Sequence, residues 1–162
     1  MSAPDDRGAK PNAADAHRAN VAALYQEMIL DHYRRPRNRG KLEHPDIALR
    51  KKNPLCGDVI DLQLQFDGDT VREVRFTGEG CAISQAAASM LTQRLKGKST
   101  DEAAQILDRF TRMVHGEEGA ADDSLGDLRS LSGVSRLPVR HPCALLASDA
   151  LAEALASRRQ EP

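Results

Sequence analysis

From Val59 to Phe66 apolar and polar residues alternate strictly. Ile60, Leu62, Leu64 and Phe66 fall on one side, Asp61, Gln63 and Gln65 on the other. Period two marks a strand with one buried face. Asp67-Gly68-Asp69 is a hairpin turn signal. Val71–Thr77 returns the chain with Val74 and Phe76 on the core side, and Ile47–Lys52 reads as a weaker strand before the pair. After Gly78-Glu79-Gly80-Cys81 the period becomes helical. Ile83, Ala87, Met90, Leu91 and Arg94 carry it to about Leu95, and Gly97 closes it. Ser99-Thr100-Asp101-Glu102 is a capping box for a helix bearing Ile106, Leu107, Phe110 and Val114. Gly116–Ala121 reads as an acidic linker and Asp123–Leu131 as a short helix. A final helix is expected from about Cys143 to Ala156, with Leu146, Ala150, Leu151 and Leu155 inward. Near the other end, Val21 to about Tyr33 predicts an amphipathic helix. Leu24, Tyr25, Met28 and His32 share its face, and Pro36 and Gly40 end it.

A helix, then strands, then helices implies an α+β domain: a small antiparallel sheet with helices packed on one face. The chain has 162 residues, enough for one domain with a real core. That domain is expected over 21–157. Residues 1–20 read as a disordered tail, rich in Ala, Asp, Arg and Pro, and 158–162 as a C-terminal tail. A net charge of -1 gives no argument for nucleic acid or a membrane surface as partner. No apolar run reaches bilayer length, and the N-terminal segment lacks the apolar stretch of a secretory signal, so a cytoplasmic protein is expected.

Three cysteines cannot form a purely disulfide framework, and without an export signal free thiols or metal ligands are expected. Each cysteine sits at an element boundary. Cys56 lies in the loop Asn53-Pro54-Leu55-Cys56-Gly57-Asp58, and Cys81 and Cys143 open helices. A helix N-terminus offers unpaired amides and positive potential, which favour the thiolate. Gly57 lets the chain turn so that Cys56 and Asp58 face one point. Three thiolates and a carboxylate suit tetrahedral zinc, and thiolates also hold iron in clusters. The spacings of 25 and 62 residues match no local zinc-finger pattern, so unrelated buried cysteines and a turn-forming Asp58 are the competing reading. His141 is either a further ligand or a hydrogen-bonding neighbour of the site. A nucleophile–base pair of Cys81 and His141 lacks an orienting third residue. The basic turn Arg34–Lys41 is a solvated loop or a docking surface.

Four stretches carry a resemblance. They are Leu24-Tyr25-Gln26-Glu27-Met28-Ile29-Leu30-Asp31-His32-Tyr33-Arg34-Arg35-Pro36-Arg37-Asn38, then Asn53–Asp58, then Gly78-Glu79-Gly80-Cys81-Ala82-Ile83-Ser84-Gln85-Ala86, and Pro138-Val139-Arg140-His141-Pro142-Cys143-Ala144-Leu145-Leu146. In this order they resemble the U-type iron–sulfur scaffold family, which includes IscU, the N-terminal part of NifU, and SufU. The likeness covers nearly everything from Leu24 to Ala156. It looks most like the SufU subgroup, with a helical insertion at about 99–134 before the last cysteine. The resemblance implies a SufE/IscU-like fold and the metal ligands Cys56, Asp58, Cys81 and Cys143, with zinc as usual resident and an iron–sulfur cluster as a transient one. It implies a sulfur acceptor of the SUF system, a zinc-dependent sulfurtransferase partner of a SufS-type cysteine desulfurase. Cys143 is expected to be the acceptor. The alternative is a scaffold on which a [2Fe–2S] cluster forms and passes to apo iron–sulfur proteins or other SUF components. Arg35, Arg37 and Arg39 are expected to dock the partner. Similar proteins often carry lysine directly before the last cysteine. Here it is Pro142, which leaves open whether His141 replaces a ligand or tunes the thiolate.

Overall fold

The strictly alternating stretch is a strand, β2 (Val59–Asp67), at the centre of a three-stranded antiparallel sheet. The computed structural model describes residues 12–159. β1 (Ile47–Lys52) pairs along one edge of β2 with Ile47 opposite Leu64, and β3 (Thr70–Glu79) along the other with Leu62 opposite Phe76. A bulge at Gln65/Phe66 shifts the register, so Val71 and Val74 both face inward. One face of the sheet is therefore a continuous apolar surface of Ile60, Leu62, Leu64, Val74 and Phe76.

Two helices cover that face. α2 (Ala82–Leu95) packs on β3, and α4 (His141–Arg159) packs on β1, β2 and α2. α2 is buried all round from Ser84 to Thr92, with Ala86, Ala87, Ala88 and Ser89 at its middle. Small side chains let the sheet, α1 and α4 approach it together. α3 (Thr100–Val114) lies outside α4, with Ser99 Oγ accepting the Glu102 N–H at 3.1 Å as the capping sequence predicts. The short helix expected over Asp123–Leu131 is a 3-10 segment that extends further, Asp123–Arg136. Gly126 breaks it at φ 54°, and a serine- and glycine-rich sequence has little preference for an α-helix. It still buries Leu125, Leu128, Leu131 and Val134 against the core.

The first helix, α1 (Ala13–Arg34), also corrects the expectation. It begins at Ala13, so 13–20 are helical and not a disordered tail. Asn12 caps it by accepting the Asp15 N–H at 2.8 Å, and the alanine-rich start has high helix propensity. These residues are exposed, which is why they show no apolar stripe. The expected C-terminal tail is corrected likewise, because α4 runs through Arg159. Residues 1–11 and 160–162 lie outside the described residues. Leu24 is 59% exposed, and α1 instead docks through Met28, Ile29 and the buried His32. The Ser89 hydroxyl of α2 lies 2.8 Å from His32 Nδ1 and also accepts the Arg37 backbone N–H at 2.8 Å. The Asp127 carboxylate lies 3.9 Å from His32 Nε2. One buried polar contact thus ties α1, the following loop, α2 and the 3-10 segment together. No helix among the described residues is long and apolar enough to cross a membrane.

Burial holds the His32 imidazole below its usual pKa, and the Arg37 charge adds to this against the opposing pull of Asp127 and Asp31. The unfolded chain therefore takes up a proton at higher pH than the fold does. Stability carried by neutral His32 is complete above the ordinary histidine pKa of about 6.5 and is lost as pH falls through the lower folded value. Thermal melts followed by circular dichroism at about pH 7.5 and about pH 5 should show a larger acid-side drop in Tm for the parent than for His32→Gln.

Candidate metal centre

The sulfur-bearing residues converge where the β1–β2 loop meets the starts of α2 and α4. The loop is shaped by its backbone. The Asn53 N–H donates to the Asp58 carbonyl at 2.8 Å, and the Gly57 N–H donates to the Asn53 carbonyl at 2.9 Å. Gly57 takes φ +75°, a left-handed turn that other residues enter at a cost, and it separates an exposed Cys56 from an Asp58 that is only 5% exposed. Cys81 is the N-cap residue of α2 and is half-buried. Cys143 lies in the first turn of α4, only 2% exposed.

Cys56, Asp58 and Cys143 meet, and Cys81 adjoins them beside Asp58. Cys56 Sγ and Cys143 Sγ are 3.6 Å apart, and Cys81 Sγ is 3.8 Å from Asp58 Oδ2. Ligand atoms of Cys56, Asp58 and Cys143 all lie within 4.8 Å of one another. Tetrahedral zinc with Zn–S about 2.3 Å and Zn–O about 2.0 Å requires S···S about 3.8 Å and S···O about 3.5 Å. Cys56, Asp58 and Cys143 fit such an ion in chemistry and spacing, and Cys81 reaches the group through its approach to Asp58. Gly80 makes room for it, since a Cβ there would stand 2.9 Å from the Asp58 carboxyl carbon and 2.3 Å from Ser84 Oγ.

Burial pushes the Cys143 thiol up to about 12, and the neighbouring Cys56 and Cys81 push the same way. Desolvation and like-charge neighbours thus oppose, in the metal-free chain, the lowering expected of a helix start. A bound cation would take the place of those protons.

His141 stands apart from the cluster. Its Nε2 donates to the Ser135 carbonyl at 3.2 Å, and its ring meets that of His115 edge-on at 5.4 Å. It does not complete the ligand set; it pins the entry to α4. The basic turn is also less free than expected. Arg37 donates to Asp31 Oδ2 at 2.7 Å and to the Arg35 carbonyl, while Arg39 donates to Gln85 Oε1 at 3.1 Å and the Gly78 carbonyl at 3.3 Å. Arg39 thereby braces both sides of Cys81, leaving exposed Arg35 as the better docking candidate. Sequence reasoning missed Gly80 and Asn53. Asn53 stands 5% exposed with its Nδ2 donating to Cys56 Sγ at 2.9 Å; the Asn-Pro turn signal was its only trace.

A three-stranded sheet backed by helices carries three cysteines and an aspartate at one end, a cysteine-rich candidate metal centre. The chain belongs to the family of the NifU-like N terminal domain, whose model matches residues 24–161. It is 44% identical over 138 residues to the zinc-dependent sulfurtransferase SufU of Bacillus subtilis, covering 85% of this chain and 93% of that one. It is 42% identical over 132 residues to the iron–sulfur cluster assembly scaffold protein IscU of Streptococcus pyogenes, covering 82% of each. A crystal structure described as a putative SUF-system scaffold protein from Fervidobacterium islandicum matches with a TM-score of 0.76 at 34% identity, covering 82% of this chain and 97% of that one.

Gly80→Ala should weaken zinc binding about tenfold or more by displacing Asp58, with the far-ultraviolet spectrum unchanged. Competition with a chromogenic chelator reads this. An unaltered affinity would show that the Asp58 position does not depend on the missing Cβ.

Proposed function

We propose that this protein acts in iron–sulfur cluster assembly as a sulfur acceptor for a SufS-type cysteine desulfurase. The observation that carries the reading is the convergence of Cys56, Asp58 and Cys143 within 4.8 Å of one another, with Cys81 3.8 Å from Asp58. Its likeness to a relative named as a zinc-dependent sulfurtransferase supports it. Zinc, when bound by these four, would keep the thiolates deprotonated and shielded.

Exposure argues for a different acceptor from the Cys143 expected at first. Cys143 is 2% exposed, whereas Cys56 is exposed on a loop. A partner's persulfide reaches Cys56 without opening the core. The Cys56 thiolate attacks the terminal sulfur of that persulfide. A new S–S bond forms at Cys56 as the S–S bond in the desulfurase breaks, and the desulfurase cysteine leaves as a thiolate. One sulfur atom moves and no net oxidation occurs. Leu55, beside Cys56, is 84% exposed, and Val139, just before α4, is 86% exposed, which supports a docked protein over this end of the fold.

The scaffold reading is favoured by one feature, the carboxylate ligand beside three thiolates. A nascent [2Fe–2S] cluster, as cargo, would take the same four groups, and relatives named as scaffolds support this. Asp58→Ala separates the readings: a longer-lived coloured cluster favours the scaffold, and loss of desulfurase activation without a cluster favours sulfur acceptance.

Mass spectrometry after incubation with desulfurase and cysteine should find the persulfide on Cys56. Cys56→Ser should abolish both the label and the stimulation of desulfurase turnover while keeping the fold. Persulfide on Cys143 in the parent would reverse the assignment.

A further inference from the structure

We propose that Asn53 is the positioning residue of the Cys56 sulfur, holding it in place through an N–H···S hydrogen bond. The inference rests on the reading of Cys56 as metal ligand and sulfur acceptor.

The amide orientation of Asn53 follows from its surroundings. One end faces the Leu55 backbone N–H at 3.1 Å, which needs an acceptor, so Oδ1 stands there. The NH2 group is then left to face Cys56 Sγ at 2.9 Å. Flipping the amide would set two N–H groups against each other and strip the sulfur of its donor. Asn53 is 5% exposed, so both ends need partners inside the protein, and both have one.

Loop closure alone does not explain this side chain. The turn is already fixed by backbone bonds at both ends of Asn53. An aspartate would accept the Leu55 N–H equally well, since Asp and Asn form such turns alike. What only asparagine supplies is the donor to sulfur. A carboxylate here would add negative charge beside Cys56, Cys143 and Asp58, three groups already crowded within 4.8 Å.

The consequence concerns Cys56 in particular. Cys81 and Cys143 are held by helices, whereas Cys56 hangs on an exposed loop. A hydrogen bond to a thiolate is charge-assisted and directional. It keeps the exposed sulfur turned toward Cys143 and draws charge from it. Partners outside the ligand shell orient metal ligands in this way and tune them.

Asn53→Asp keeps the acceptor for Leu55 and replaces the donor to sulfur with a negative charge. The protein is loaded with 113Cd, and NMR is used to seek coupling between the metal and the Asn53 side-chain N–H protons through the Cys56 sulfur. We expect that coupling in the parent. We also expect about a tenfold loss of zinc affinity in Asn53→Asp, with the Leu55 amide resonance unchanged. A cadmium site showing the Cys56 ligand but no coupling to Asn53 overturns the proposal. So does an Asn53→Asp affinity within about twofold of the parent. The coupling measurement needs no variant, so it decides the matter even where Asn53→Asp fails to fold. The two readings fail separately. Persulfide on a cysteine other than Cys56 removes the functional assignment and leaves the coupling in place. A missing coupling removes the hydrogen bond and leaves sulfur acceptance standing. Failure of cadmium to bind Cys56 overturns the positioning role in the metal site, and the persulfide measurement still decides sulfur acceptance.

Discussion

Three thiols and a carboxylate share one corner of this fold, and their mutual repulsion when ionised is the constraint on which the site depends. Burial of Cys143 and Asp58 sharpens it, because a low-dielectric surrounding neither screens nor solvates the charges. The corner is stable in two conditions: with protons on the sulfurs, or with a cation among them. The raised Cys143 pKa expresses the first. The closeness of Cys56, Asp58 and Cys143 suits the second. On the proposed function, a metal and a sulfur atom would compete for the same thiolates.

The rest of the architecture serves to bring those groups together. The central helix α2 is built of small residues, so the sheet, α1 and α4 all close on it. Close packing sets the starts of α2 and α4 beside the β1–β2 loop. Arg39 reinforces this arrangement from outside by gripping Gly78 and Gln85 on either side of Cys81. His32, Ser89 and the Arg37 amide do the same a few turns further along. Two charges of the basic turn, Arg37 and Arg39, are thus spent as a clasp within the chain.

Much of this was legible because burial imprints a period. The half-buried β2 alternates, and the capping residues before α3 mark its start, so sheet and helices could be read directly. Three features left no such imprint. The first turns of α1 are solvated, so alanine propensity and the Asn12 cap, without any apolar stripe, define them. The 3-10 segment has no strong period, since Gly126 interrupts it. Burial of Cys143 is a property of tertiary packing, and a motif reports only that the residue opens a helix. The four ligands were legible as a resemblance; their convergence, the steric gap at Gly80 and the amide of Asn53 belong to three dimensions.

The candidate ligands come from three separate stretches of chain, with the cysteines 25 and then 62 positions apart. An ion bound at Cys56, Asp58, Cys81 and Cys143 therefore acts as a reversible crosslink through the domain. A ligand that binds only the folded state adds about 2.7 kcal/mol when its free concentration is a hundredfold above its Kd. Folding stability would thus become a gauge of available metal. Starved of it, the same chain is easier to unfold and to degrade, so metal supply would govern how long each copy of the protein survives.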